Sequence, residues 1–212
     1  HFWDLMDALP VESIAKIERE LVEKIFKIYN FQTDTLFFDT TNFFTYLDTT
    51  NLRCTIAQRG KNKQKRYDLR QIGLAMVVTR KDMIPLFHLT YQGNMADAVV
   101  FRDVIETIKD RMKGLGLDRE KHTVVFDRGN NSRDNMAIVE RLSLHYVGAL
   151  TPYHHKQLVN EAVDNFKEHD VDGSKMQVYR DKRVIWQRER TIIVFVSEKL
   201  KAGQVRGMYQ SL

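Results

Sequence analysis

Cysteine, proline and long apolar runs are what this sequence has least of, and each scarcity removes a class of protein. The single cysteine, Cys54, cannot close an internal disulfide, and no Cys or His stands near it at zinc-ligand spacing. A scaffold of internal disulfides is excluded, the pattern argues against a structural zinc site, and Cys54 reads as a small buried or half-buried hydrophobe. No apolar stretch approaches the roughly 20 residues that span a bilayer, and the start lacks the order of a signal peptide. The expectation is a cytoplasmic protein with no membrane partner, nucleoid-associated if it binds DNA. Internal repeats and low-complexity segments are also missing. Charge of one sign is not extreme: the net charge is +5 with a pI near 9.2, which permits a polyanionic partner without requiring one. Beginning at His1 and stopping at Leu212 without a polar tail, the chain reads as a segment of something longer.

What is present is enough for one substantial core, since 43% of 212 residues are hydrophobic. From Val11 to Tyr29, Ile14, Ile17, Leu21, Ile25 and Ile28 recur every three or four positions behind Pro10, the pattern of an amphipathic helix. Residues 35 to 48 read as a strand, a brief turn at Asp39-Thr-Thr-Asn, and a second strand. A polar, basic stretch follows from 58 to 70. Ile72 to Val78 and Ile84 to Leu89 then look like hairpin arms around Arg80-Lys-Asp, ended by Gly93-Asn94. Val100, Val104, Ile108 and Met112 mark a helix stopped by Gly114 and Gly116. Thr123 to Phe126 has the continuous apolar character of a buried parallel strand reached by a helical crossover. Ser132 is placed to cap a third helix with Met136, Val139 and Leu142 on one face, and Tyr146 to Leu150 gives another strand.

With residues 35 to 48 counted as one element, the order over the core is β-β-β-α-β-α-β, an α/β chain with a mixed sheet and flanking helices. Three parts are expected: an N-terminal helical segment (1–30), the core (31–152), and a helix followed by short β-rich runs (153–212). In the last part Leu158, Ala162 and Phe166 suggest the helix, and Gln177 to Tyr179, Val184 to Trp186 and Thr191 to Ser197 suggest an antiparallel meander.

Two acids stand out, each closing a short apolar run: Asp39 in Thr35-Leu-Phe-Phe-Asp-Thr-Thr and Asp127 in Thr123-Val-Val-Phe-Asp-Arg-Gly. Alone, each is as readily explained by its loop, Asp39 as a turn residue and Asp127 as part of a solvated strand-to-helix connection. Together they mean more. If the first strand lies beside the strand that follows the crossover helix, both carboxylates emerge at neighbouring positions. Two anionic oxygens so close repel unless a cation sits between them, and Mg²⁺ or Mn²⁺ prefers such hard donors.

The words around these acids carry a resemblance: Leu36-Phe-Phe-Asp-Thr-Thr, Tyr67-Asp-Leu-Arg-Gln-Ile-Gly-Leu-Ala, Ile84-Pro-Leu, Gly93-Asn-Met-Ala-Asp97 and Val124-Val-Phe-Asp-Arg-Gly. In this order, with the strand sequence above, the chain resembles DDE transposases of bacterial insertion sequences over roughly residues 1 to 212. The resemblance implies a ribonuclease H-like catalytic core with a partial β-rich insertion at its C-terminal end. It implies phosphodiester hydrolysis and strand transfer at element ends, using two Mg²⁺ or Mn²⁺ ions. Asp39 and Asp127 would be the first two of three catalytic, metal-binding acids. DNA would be the partner, bound by a homodimer on paired ends.

In that group the third acid is a Glu on a helix beyond the insertion, within a Tyr, Arg, Glu, Lys pattern that no segment here matches. Glu161 is the internal candidate, and its plainer reading is a solvated helix residue. The run Arg59, Lys61, Lys63, Lys65 and Arg66 reads either as a solubilising loop or as a contact for a DNA backbone. Tyr179, Arg180, Lys182, Arg183, Trp186, Arg188 and Arg190 mix cations with aromatics, a composition able to stack bases and hold phosphates or to form a plain β surface. His154-His155 lacks a carboxylate partner for a metal, and Lys113-Gly-Leu-Gly-Leu is a helix stop rather than a phosphate loop. The rival to an enzyme is a catalytically incomplete DNA-binding or assembly remnant of a truncated transposase.

Overall fold

The computed structural model describes the chain except residues 49, 118–121, 172, 197, 211 and 212. The chain divides into two units, His1–Ala149 and Leu150–Leu212.

In the first unit, α1 (Phe2–Ala8) and α2 (Val11–Tyr29) precede β1 (Thr35–Thr45), β2 (Arg70–Thr79) and β3 (Pro85–Gln92). Then come α3 (Asp97–Gly114), β4 (Thr123–Phe126), a 3-10 turn (Arg128–Asn130), α4 (Arg133–Arg141) and β5 (His145–Gly148). The five strands lie in the order β3-β2-β1-β4-β5, antiparallel on the β2 and β3 side of β1 and parallel on the β4 and β5 side. This is the expected mixed α/β, ribonuclease H-like arrangement. The parallel half requires a long crossover, which α3 supplies.

One expected turn is absent. Asp39-Thr-Thr-Asn does not bend the chain; β1 runs through it, and its ladder with β2 is continuous from Leu36 opposite Thr79 to Thr45 opposite Arg70. The β-branched Thr40 and Thr41 favour the extended state. An unbroken antiparallel partner then outweighs the local turn tendency of Asp and Asn. With 35–45 as one strand, the order β-β-β-α-β-α-β is met by β1 to β5 and the two intervening helices.

The sheet has one closed face. Leu36 and Phe38 of β1, Ala75 and Val77 of β2, Phe87 and Tyr91 of β3, and Val124 and Phe126 of β4 are all buried. Across them lies α3, whose Val100, Val104, Ile108 and Met112 form the expected stripe and are at most 1% exposed. Phe101 is the hub, edge-on to Phe38 at 5.5 Å and to Phe126 at 4.8 Å between ring centroids. Such pairs add about 0.5 to 1.5 kcal/mol each beyond burial. α4 begins as expected, with the Ser132 hydroxyl accepting the Asn135 N–H at 3.1 Å. Its Met136 and Val139 are buried.

α2 spans the expected Val11–Tyr29, but most of its apolar stripe is not covered. Ile14, Ile17, Leu21 and Ile28 of its apolar stripe are exposed, and the buried residue is Val22. Its attachment runs through a polar residue. Glu18 accepts the backbone N–H of His88 on edge strand β3 at 2.7 Å and the guanidinium of Arg111 at 3.3 Å. Arg111 is largely buried, and loss of solvent lowers its pKa despite the neighbouring Glu18. A helix that satisfies an edge strand's outward N–H also blocks strand addition there.

The second unit holds a 3-10 turn (Pro152–His155), α5 (Lys156–Asp164), β6 (Lys167–Val171), β7 (Ser174–Ile185), β8 (Arg188–Val196) and α6 (Glu198–Gln210). Its three strands form an antiparallel sheet in the order β6-β7-β8. The run expected at 177–179 and the first two residues of that expected at 184–186 are parts of one twelve-residue strand, and Trp186 lies in the turn that follows it. β6 and α6 have no counterpart in the sequence reading. Lys167-Glu-His-Asp carries no apolar alternation, and α6 contains Gly203 and Gly207. No helix among the described residues is long and apolar enough to cross a membrane.

Candidate metal centre and nucleic-acid interface

The parallel pairing of β1 with β4 sets the geometry of the two acids. Phe38 lies opposite Phe126, and Asp39 and Asp127 are the next residues on each chain. Adjacent strands are about 4.8 Å apart and successive side chains alternate in face. Asp39 and Asp127 therefore emerge side by side, on the face opposite the buried Phe38 and Phe126. Both are exposed.

Their local bonding is alike. Asp39 Oδ1 accepts the Thr40 N–H at 2.8 Å, and Asp127 Oδ1 accepts the Arg128 N–H at 2.5 Å. One oxygen of each carboxylate is thus held by its own backbone, and the other accepts no hydrogen bond among the described residues. Asp39 is not a turn residue, being inside a ladder opposite Met76. Asp127 does keep its plainer role, capping the 3-10 turn that begins at Arg128. A cap leaves one carboxylate oxygen for another partner, so the two roles are compatible.

The turn after Asp127 is braced by residues that the sequence reading did not single out. Asn135, 1% exposed, donates from Nδ2 to the Asn130 carbonyl at 2.9 Å and to the Ala98 carbonyl at 3.1 Å. Asn131 donates to the Ala149 carbonyl past the end of β5. Gly148 makes room for it, since a Cβ there would sit 2.7 Å from Asn131 Oδ1. The signal was present in Asp127-Arg-Gly-Asn-Asn-Ser-Arg-Asp-Asn135, where three amides follow the acid within eight residues. Behind Asp39, the buried Tyr91 lies against Gly73, where a Cβ would meet its ring at 2.2 Å. Its hydroxyl donates to Asp97 at 3.1 Å. Burial first, and then the charge of Asp97, raise the Tyr91 pKa, so it remains a neutral donor.

The oxygen donors Asp39 and Asp127 suit a hard divalent cation. They form a pair and not a triad: among the described residues there is no group of three or more His, Cys, Asp or Glu that could hold a metal ion. Glu161, the internal candidate for a third acid, lies in the second unit. There it accepts the Tyr179 hydroxyl at 2.8 Å and pairs with Arg183, which also meets Asp181 at 2.8 Å. Its carboxylate is committed to a guanidinium.

The other cation-aromatic residues of that unit are partly committed too. Lys182 pairs with Glu189 at 3.0 Å, and Arg190 sits 5.7 Å from the Trp186 ring while donating to the Ile185 carbonyl. Tyr153 carries Lys156 over its face at 4.4 Å and His154 at its edge. Back in the first unit, Arg59, Lys61, Lys63, Lys65 and Arg66 are all exposed on the loop before β2. They are not equivalent. Arg66 makes a two-pronged contact with Asp68, at 2.9 and 2.8 Å, and that hydrogen-bonded partner holds the Asp68 carboxyl down at about 2.

Among solved structures, the chain is similar to a Mos1 transposase paired-end complex with left transposon end, at 14% identity and a TM-score of 0.37 over 70% of this chain and 47% of that one. It is similar to the catalytic domain of Mos1 mariner transposase at 11% identity and a TM-score of 0.37, covering 74% of this chain and 72% of that one. A third is a piggyBac transposase synaptic complex with hairpin DNA, at 13% identity and a TM-score of 0.38, covering 88% and 40%. The chain thus spans about half the length of the first of these. No protein-family model and no curated protein sequence matches it.

Proposed function

We propose that this chain is the catalytic core of a DNA transposase of the DDE class, of the bacterial insertion-sequence type, acting on phosphodiester bonds at element ends. The observation that carries the reading is the side-by-side emergence of Asp39 and Asp127 from adjacent parallel strands, on an open face of the sheet. The reading rests on these residues and the motifs around them rather than on the likeness to solved transposases. Asp39 and Asp127 are the residues that would hold Mg²⁺ or Mn²⁺, two ions in the complete site. When bound, such ions lower the pKa of an attacking water or hydroxyl and neutralise charge on the leaving oxygen.

The chain's own residues supply the rest. Thr40 N–H and Arg128 N–H orient the carboxylates, and the asparagines after Asp127 hold that turn to the neighbouring elements. A carboxylate fixed at one oxygen loses less freedom when its other oxygen takes a ligand. DNA is the substrate, and a homodimer on paired ends is the expected assembly.

Iron-mediated cleavage tests the metal pair. Fe²⁺ replaces the native ion and, with ascorbate and peroxide, cuts the backbone beside its ligands. Cuts near residues 39 and 127, suppressed by excess Mn²⁺ and lost in Asp39→Asn, are expected. Cutting elsewhere, or unchanged cutting in the variant, refutes the assignment.

A second reading is favoured by one observation: the described residues bring only two acids together, and Glu161 is bound to Arg183. In this reading the chain is a DNA-binding or assembly remnant without catalysis. DNA affinity with no metal-dependent nicking, unchanged in Asp39→Asn, would support it.

A further inference from the structure

The loop that carries the basic run is built rather than loose. Gln58 and Gln71 exchange both backbone hydrogen bonds, at 3.0 and 2.9 Å, and Gly93 N–H donates to the Ile56 carbonyl at 3.2 Å. The segment 56–58 thus continues the sheet where β3 has ended, and its Ala57 is fully buried. Gln71, also fully buried, then reaches under the loop, donating from Nε2 to the Gly93 carbonyl at 2.7 Å and the Lys61 carbonyl at 3.2 Å. The backbones touch so closely that only glycine fits. A Cβ on Gly60 would lie 2.2 Å from the Gly93 oxygen, and one on Gly93 would lie 1.9 Å from the Gln71 oxygen.

Beyond Gly60 the tip is closed by Asn62, whose Oδ1 accepts the Arg66 N–H at 2.9 Å and whose Nδ2 donates to the Arg66 carbonyl at 3.1 Å. Lys65 takes the left-handed conformation, φ 57°, that completes the turn. The cations divide accordingly. Arg66 is neutralised by Asp68, and Arg59 lies within electrostatic reach of the same carboxylate. Lys61, Lys63 and Lys65 have no acidic partner among the described residues.

A buried amide spent on one surface loop, two glycines required by contact, and three unpaired lysines displayed beyond them form a preformed cationic tongue. Preorganisation of this kind reduces the ordering cost of binding. From the nucleic-acid reading above, on which this step rests, we infer that Lys61, Lys63 and Lys65 contact the phosphate backbone of a nucleic acid. Gln71 and Asn62 are their positioning residues, and Arg66 is a strut of the loop and not a contact. The base of the tongue belongs to the sheet that carries the acids. Gln71 pairs with Phe44, five residues along β1 from Asp39, about 16 Å at roughly 3.3 Å per residue.

The test is the salt dependence of binding by the full 212-residue chain to a short DNA duplex of arbitrary sequence. Each phosphate contact contributes about 0.9 to the slope of log affinity against log salt. The triple variant Lys61→Gln, Lys63→Gln, Lys65→Gln should lower that slope by roughly two to three. The paired variant Arg66→Gln with Asp68→Asn, which leaves net charge unchanged, should leave the slope unchanged.

Positioning is read by trypsin. The parent loop should resist cutting at residues 61 to 66, whereas Gln71→Ala and Asn62→Ala should be cut there many times faster with the remainder of the chain intact. An unchanged slope in the triple variant, a slope lowered by the Arg66 and Asp68 pair, or a parent loop cut as fast as the variants would each overturn the inference. Failure of the parent to bind the duplex even at low salt would instead overturn the nucleic-acid reading, and this inference with it.

Discussion

The two faces of the five-stranded sheet are made by the same strands, yet they differ in almost every respect. On one, Leu36, Phe38, Ala75, Val77, Val124 and Phe126 are buried against α3. On the other, Phe43 is 55% and Val147 57% exposed, and Asp39 and Asp127 meet solvent. Strand alternation assigns every second residue to each face. The closed face is therefore where stability is concentrated, and the open face is free to carry acids whose mutual repulsion a core could not absorb. An acidic pair placed at the seam between parallel strands costs the fold little because the hydrophobic work is done on the other side.

Substitutions on either side sharpen this division. The largest effect is expected at the hub of the closed face: Phe101→Ala removes an unexposed ring that touches Phe38 and Phe126, and should cost about 3 to 5 kcal/mol in urea unfolding. Next is the attachment of α2. Glu18→Ala strands the largely buried Arg111 and frees the edge N–H of His88, so about 1 to 2 kcal/mol should be lost, with protection of the His88 amide from hydrogen exchange lost as well. Ser132→Ala, which deletes the cap of α4, should cost about 1 kcal/mol.

Phe43→Ser, on the open face, should change stability by less than about 0.5 kcal/mol. A loss comparable to Phe101→Ala would show that the two faces are not divided as described. The smallest change is in the pH response of the basic loop. Asp68 is depressed from 3.8 to about 2 by its hydrogen bonds from Arg66. The pairing therefore contributes fully above pH 3.8 and is lost as pH falls through about 2. An NMR titration of the Asp68 carboxyl should give that low midpoint in the parent and an ordinary one in Arg66→Gln.

The second unit offers a further contrast. Its sheet exposes Val184, Ile193 and Phe195, and several of its charged residues pair with one another, as Glu161 does with Arg183, Lys182 with Glu189 and Lys175 with Glu168. In the first unit Lys61, Lys63 and Lys65 have no such partners among the described residues. Composition alone made the two basic regions look alike.

Much was legible in the sequence because it depended on periodicity. The stripe Val100, Val104, Ile108 and Met112 could bury only one face of a helix, and Thr123 to Phe126 could be only a buried strand. Both stand as expected. Residues 35 to 45 were misread because Asp and Asn favour turns locally, and only the ten-residue ladder with β2 overrides them. The stripe of α2 showed where the helix runs, but not that Val22 and Glu18, outside that stripe, would be the residues that meet the rest of the unit. β6 was invisible because Lys167-Glu-His-Asp has no alternation; its strand state comes from pairing with β7.

By itself, then, the sequence determined which residues could be core, where the two acids end their apolar runs, and that a lone cysteine cannot close an internal disulfide. Those are properties of composition and of short periodic patterns, which the chain carries whatever its fold. Tertiary structure alone decided that Asp39 and Asp127 are neighbours, that Glu161 is tied to Arg183, and that Gln71 supports a distant lysine loop. Each of these depends on which strand lies beside which, and that is fixed by long-range pairing and a buried crossover helix rather than by any local preference.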